Sequence, residues 1–103
     1  MNDPFDLNAA NARDTQRTDA QRARQEAADK DLRFVMGDAR GRRVLWGLLE
    51  EAGIYRSSFS TDPLAMAHAE GRRDMGLRLL ARLLRTTPGE YLKAQQESTV
   101  VHS

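Results

Sequence analysis

Apolar positions recur with a helical period in two stretches of this chain, and the clearer is Gly41-Arg42-Arg43-Val44-Leu45-Trp46-Gly47-Leu48-Leu49-Glu50-Glu51-Ala52-Gly53-Ile54. Val44, Leu45, Leu48, Leu49 and Ala52 stand at offsets of three, four and seven or eight, which puts them on one side of an α-helix. Asp38 is placed to accept from the first free backbone N–H groups, and Gly53 to take the left-handed conformation that turns Ile54 back onto the last turn. The pattern predicts a helix over residues 39–52. The second stretch opens on Asp62-Pro63, an acceptor at the cap with proline at the first helical position, and predicts a long helix over residues 63–86. On a wheel of ~100° per residue, Met75, Leu77, Leu79, Leu80, Leu83 and Leu84 cover about half of its circumference, with Asp74, Arg78, Arg82 and Arg85 opposite. So broad an apolar face needs more than one neighbour. The 39–52 helix is expected on one side, meeting it near Leu48 and Leu80, and the apolar group Leu32, Phe34, Val35 and Met36 and the C-terminal segment on the other.

The flanking segments are less apolar. Residues 11–30 are rich in Ala, Arg, Gln, Asp and Glu without Gly or Pro, a helix-forming composition. Their least polar seam is Ala9, Ala12, Ala20, Ala23 and Ala27 with Gln16 in line, too small in side-chain area to hold a helix folded by itself. This segment is either a solvated extension or an arm that lays its alanines against another protein or a symmetry mate. Ahead of it, Phe5 and Leu7 are a docking tag or, in the preferred reading, a frayed end. Tyr55 and Phe59 lie in a Ser-rich connection and are expected to tuck under the bundle rather than stack on bases, with partner docking as their functional alternative. Thr87-Pro88-Gly89-Glu90 reads as a capping box that opens a last helix, and residues 98–103 as a flexible tail. The fold class is therefore all-α: a small bundle of three to four short helices over residues 31–97, with a helical or disordered arm over residues 1–30.

Composition narrows the functional classes. A chain of 103 residues holds one domain at most. Its 16 Lys+Arg and 15 Asp+Glu nearly cancel, so any attraction to nucleic acid must come from local clustering. With no Cys, disulfides and thiolate metal sites are excluded, which suits a reducing compartment. No apolar run approaches the ~20 residues of a membrane span, and no apolar signal region opens the chain. His68 and Glu70 stand two apart on a helix and point in different directions, so no metal site is assigned. Glu50 and Glu51 diverge by ~100°, and no nucleophile elbow, phosphate-cradling loop or zinc-protease box is present. No cofactor and no catalytic residue is assigned, and enzyme is the least favoured class.

Arginine is the most suggestive residue. Gly41-Arg42-Arg43 and Gly71-Arg72-Arg73 sit in the two best helices, followed by second glycines, Gly47 and Gly76, at unequal spacing that argues against a repeat. Arg42 falls at the edge of its apolar arc, one turn before Trp46, where it can stack on the indole. Arg72 and Arg73 fall in the extension of theirs. Charges placed there need partners, for which Glu50, Glu51, Glu70 and Asp74 are candidates. Arg42, Arg72, Arg73 and Glu70 are accordingly read first as ion-pair clips that fix helix register, and second as an anion site for phosphate or a partner's carboxylates. Arg78, Arg82 and Arg85 form a stripe on the exposed face, with Asp74 able to pair Arg78; it is a solvated face or, as the alternative, a nucleic-acid contact.

The two Gly-Arg-Arg blocks, with Val44-Leu45-Trp46, Leu48-Leu49-Glu50-Glu51-Ala52-Gly53-Ile54, Arg56-Ser57-Ser58-Phe59 and Gly76-Leu77, resemble a family of small phage proteins named after a Bordetella podophage protein and encoded among the head and tail structural genes of tailed phages and prophages. The resemblance spans residues 31–97 and leaves the arm outside; Gly47 after Trp46, and His68, depart from it. It implies a virion-associated or assembly role with phage structural proteins as partners, in the host cytoplasm during assembly or in the particle, and carries over no catalytic residue. The expected function is a non-catalytic accessory that binds partners through the arm and the Tyr55–Phe59 loop. A DNA-binding packaging or internal virion protein is the alternative, and a lytic or processing enzyme comes last.

Overall fold

A computed structural model of the protein describes the backbone of residues 7–102 and the side chains of residues 7–99. Among the described residues there are four helices and no strand: α1 Leu7–Met36, α2 Ala39–Ala52, α3 Pro63–Thr86 and α4 Pro88–His102. The all-α class is the one the periodicity predicts. Contacts divide the chain between Asp31 and Leu32 into two units. Phe5 lies outside the described residues, and Leu7 opens α1 with its side chain exposed.

The first unit holds α1 up to Asp31, and it is helical. Every side chain from Asn11 to Ala27 is exposed, including Ala12, Ala20, Ala23 and Ala27 of the seam. Local bonds support the helix: Arg17 pairs with Asp14 at 2.7 Å, Gln25 donates to Asp29 at 2.9 Å, and the Thr15 and Thr18 hydroxyls donate back to the carbonyls of Asn11 and Asp14. Each such pair contributes only about 0.2–0.5 kcal/mol, so backbone propensity carries most of the helix.

The second unit builds the core. The last turn of α1 brings in Leu32 and Met36, both buried, before the Gly37 N–H donates to the Arg33 carbonyl at 2.9 Å and ends the helix. The Asp38 carboxylate accepts from the Arg40 N–H at 2.7 Å and starts α2; Gly53, at φ 75°, closes it. Asp62 caps α3 in the same manner through the Leu64 N–H at 3.1 Å. Leu32, Met36, Leu49, Ile54, Leu83 and Ala94 form the core, with Leu45, Trp46, Ala52, Leu79, Leu80 and Tyr91 packed around it. Helix α2 packs on both α3 and α4. The packing axis runs through Leu49 and Leu83 rather than through Leu48 and Leu80, since Leu48 is exposed.

Two glycines set how close the helices come. A Cβ on Gly41 would run into the Val35 carbonyl, and one on Gly76 would lie 2.5 Å from the Ala52 Cβ and 2.6 Å from the Ile54 Cγ2. The wide apolar arc of α3 is only partly covered: Met75, Leu77 and Leu84 are exposed. Helix length accounts for this, because α3 at ~36 Å outruns α2 at ~21 Å. Helix α4 runs on to His102, through most of the segment expected as a tail. No Gly or Pro follows Gly89 to stop it, and the Ser98 and Thr99 hydroxyls turn back to the Gln95 carbonyl. Ser103 lies outside the described residues.

Candidate functional site

Arg42 stands in the first turns of α2, where Gly41 brings that helix close to the end of α1. Its guanidinium reaches across to α4: Nη2 donates to Glu97 Oε1 at 2.8 Å and Nε to the same oxygen at 3.0 Å, while Nη1 donates to the Met36 carbonyl at 2.9 Å. The side chain is 12% exposed. The hydrogen bond to Glu97 raises the Arg42 pKa above its ordinary value, and the Glu97 charge adds to it. The partner expected from the sequence was Glu50, Glu51, Glu70 or Asp74; the structure assigns it instead to Glu97. Nor does the guanidinium lie on the Trp46 indole. Trp46 stacks on Tyr55 with ring centroids 5.3 Å apart and leans on Tyr91 at 5.8 Å.

The four-residue cluster does not assemble as one site. Arg72 lies on the wall of a groove between α2 and α3, whereas Arg73 and Glu70 line a separate small cavity with Ser58, Asp74 and Leu77. Arg73 also lines a neighbouring cavity with Arg56, Ser57 and Ser58, and its Nε is buried with no hydrogen-bond partner. Of these four residues, Arg42 forms an ion pair, with Glu97. Its partner is far along the chain, beyond the reach of helix-spacing arguments.

The connection after α2 leaves both its aromatics exposed, Tyr55 at 49% and Phe59 at 77%, but gives ring contacts to Tyr55. Tyr55 packs on Trp46 and shares a 2.8 Å hydrogen bond between its hydroxyl and that of Tyr91. Desolvation of its inner face, followed by this hydrogen bond, raises its pKa above the ordinary tyrosine range. Phe59 does not tuck under the bundle; it stands exposed, while the Ser57 and Ser60 hydroxyls bond the N–H groups of Phe59 and Asp62 and hold the connection in local turns. On α3, Arg78, Arg82 and Arg85 are exposed as the wheel predicts, and Arg78 Nε pairs with Asp74 Oδ2 at 3.1 Å, also in solvent.

One feature escaped the sequence. The groove between α2 and α3 has a volume of about 1070 Å³ and is lined along its length by Leu48, Ala52, Gly71, Met75, Gly76 and Leu79. Arg72, Arg78 and Arg82 stand along it from α3 and Glu51 from α2. The signal that could have found it is the presence of Leu48 and Met75 in apolar arcs wider than the short partner helix can cover.

The model of a family described as Bbp19-like phage protein matches residues 32–96. The chain belongs to that Bbp19-like family. No curated protein and no solved structure matches. The Bbp19-like span begins at Leu32, the first core residue, and ends one residue short of Glu97; α1 up to Asp31 lies outside it. Membership sets the chain in a phage context. Among the described residues, no helix is long and apolar enough to cross a membrane.

Proposed function

We propose that this chain is a virion-associated or assembly accessory protein that acts as a non-catalytic protein-interaction module on phage structural proteins. The observation that carries the reading is uncovered apolar surface: Phe34, Phe59, Leu64 and Met75 are 84, 77, 80 and 69% exposed on a unit whose core is small. Apolar residues exposed one by one are ordinary, so the support lies in how many large ones this small unit leaves for a partner to cover. The exposed alanine seam of α1 supports the same reading, as small side chains allow another helix to approach closely. The host cytoplasm during assembly, or the particle, is where such partners are found.

The test is copurification from infected cells with the tagged full chain, joined to mass spectrometry of purified particles. A phage structural protein is expected to copurify, and to be lost when Ala20→Glu and Ala23→Glu charge the seam or Phe59→Ser removes the exposed ring. Absence from particles together with no phage structural protein in the pull-down refutes the reading. A second reading, DNA binding in packaging or inside the virion, draws on Arg78, Arg82 and Arg85 lying on one exposed side of α3. It requires an affinity for duplex DNA that falls steeply with salt and weakens in Arg82→Ala.

A further inference from the structure

The α2–α3 groove is a second interaction surface, separate from Phe59 and the alanine seam, and we propose that it takes an acidic amphipathic helix of a partner protein. This deepens the reading of the chain as a protein-binding module and rests on it. The shape is that of a helix seat. Along α3 the lining runs from Ala67 to Arg82, about 22 Å, or about four turns. Its middle is low, because Gly71 carries no side chain and has nothing within 4 Å of where a Cβ would stand, and because Gly76 lets α3 settle onto Ala52. Leu48 and Met75, both exposed, rise as apolar walls on either side. A helix laid there meets side chains at the i, i+3, i+4 and i+7 spacing of helix-in-groove recognition.

Charge selects the occupant. Three arginines stand along the groove, Arg72, Arg78 and Arg82, against one carboxylate, Glu51. Arg78 is shared with Asp74 in solvent, while Arg72 and Arg82 have no carboxylate partner among the described residues. They lie ten positions apart on α3, ~15 Å or nearly three turns, so glutamates on the flank of a docked helix can meet both. A second copy seated groove to groove offers the three arginines at best the single Glu51 of its α2, too few carboxylates to match them. Nucleic acid fits poorly, because no Phe, Tyr or Trp lines the groove for a base to stack on.

The proposal is tested on the full chain with a synthetic helix of about 18 residues that carries leucines at i, i+4, i+7 and i+11 with glutamates flanking them, and with a twin in which lysine replaces every glutamate. Fluorescence anisotropy is expected to show binding of the glutamate peptide at least about tenfold tighter than of the twin, a difference of roughly 1.4 kcal/mol. In the double variant Arg72→Glu, Arg82→Glu that preference is expected to invert. Met75→Asp, at an exposed position and with an unchanged circular dichroism spectrum, is expected to abolish binding of both. Equal binding of the two peptides, no binding of the glutamate peptide, or a preference that the double reversal leaves intact overturns the proposal. So does a dimer in sedimentation that Met75→Asp dissociates, which gives the groove to a second copy, or displacement of the peptide by duplex DNA. If the peptide fails while pull-down through the arm or Phe59 persists, the groove assignment falls and the interaction-module reading stands.

Discussion

Glycines that look alike in the sequence behave in opposite ways at the scale of single residues. Gly41 and Gly71 each precede an Arg-Arg pair, yet Gly41 is jammed against the Val35 carbonyl and Gly71 faces open space; of the second glycines, Gly76 is packed on Ala52 and Ile54 and Gly47 is open. Gly41→Ala and Gly76→Ala are expected to destabilise by about 1–3 kcal/mol each through overpacking. Gly47→Ala and Gly71→Ala, in helix interiors with room for a methyl, are expected to stabilise by roughly 0.5–1 kcal/mol. Urea unfolding of the four variants checks both signs. Tyr55 supplies a pH dependence. Partial desolvation of the half-exposed ring and the Tyr91 hydroxyl favour the protonated phenol in the fold, so the unfolded chain ionises first, near pH ~10. Its contribution is complete below that pH and is lost as pH rises beyond it. The fall in stability on the alkaline side is expected to flatten in Tyr55→Phe, which itself costs about 1 kcal/mol or less at neutral pH. Urea midpoints measured across the alkaline range decide it, and with two tyrosines in the chain the near-ultraviolet tyrosinate band reports the ionisation directly.

At the scale of elements, what the sequence makes legible is what local chemistry determines. The bounds of α2 and α3 follow from Asp38, Gly53, Asp62 and Pro63, whose roles depend only on near neighbours along the chain. Asp38→Ala is expected to cost about 1 kcal/mol, the worth of a satisfied N-cap, in the same unfolding measurement. The exposed arginine stripe of α3 was legible for the same reason, as periodicity alone decides which side of a helix a residue occupies. Less legible was the exposure of Phe59, whose connection is held in local turns by the Ser57 and Ser60 hydroxyls instead of folding its ring onto the bundle. The arm is an intermediate case. Its composition favours helix, and it is helical, but the side chains of residues 11–27 are exposed and its support is local. Hydrogen–deuterium exchange is therefore expected to be far faster along residues 11–27 than around Leu49 and Leu83, where amides open only with the core. Equal protection in the two regions contradicts that account.

For the whole molecule the decisive contacts are those that no window of sequence contains. The groove exists because a long α3 outruns a short α2, a mismatch visible only when both are set side by side. The Arg42–Glu97 pair likewise joins the start of α2 to α4, and the Met36 carbonyl adds the end of α1 to the same guanidinium. Such a clip fixes register between elements that their apolar contacts alone would leave free to slide, since among its described residues α4 contributes one buried apolar side chain, Ala94, to the core. If that is its role, the two residues must act as a unit. Glu97→Gln keeps the shape and removes the charge, and is expected to lower the thermal midpoint nearly as much as Glu97→Ala does. Arg42→Ala is expected to cost more than either, because it also strips the Met36 carbonyl of its donor. The double variant Arg42→Ala, Glu97→Ala is then expected to be no less stable than Arg42→Ala alone, the non-additivity that marks a direct coupling. Exchange of the two charges, Arg42→Glu with Glu97→Arg, tests the geometry further: it restores an opposite-charge pair but turns a carboxylate toward the Met36 carbonyl, and is expected to recover only part of the loss. Strict additivity of the single changes in thermal melts would show that α4 is held by its apolar face instead, and that Arg42 is merely accommodated at the seam.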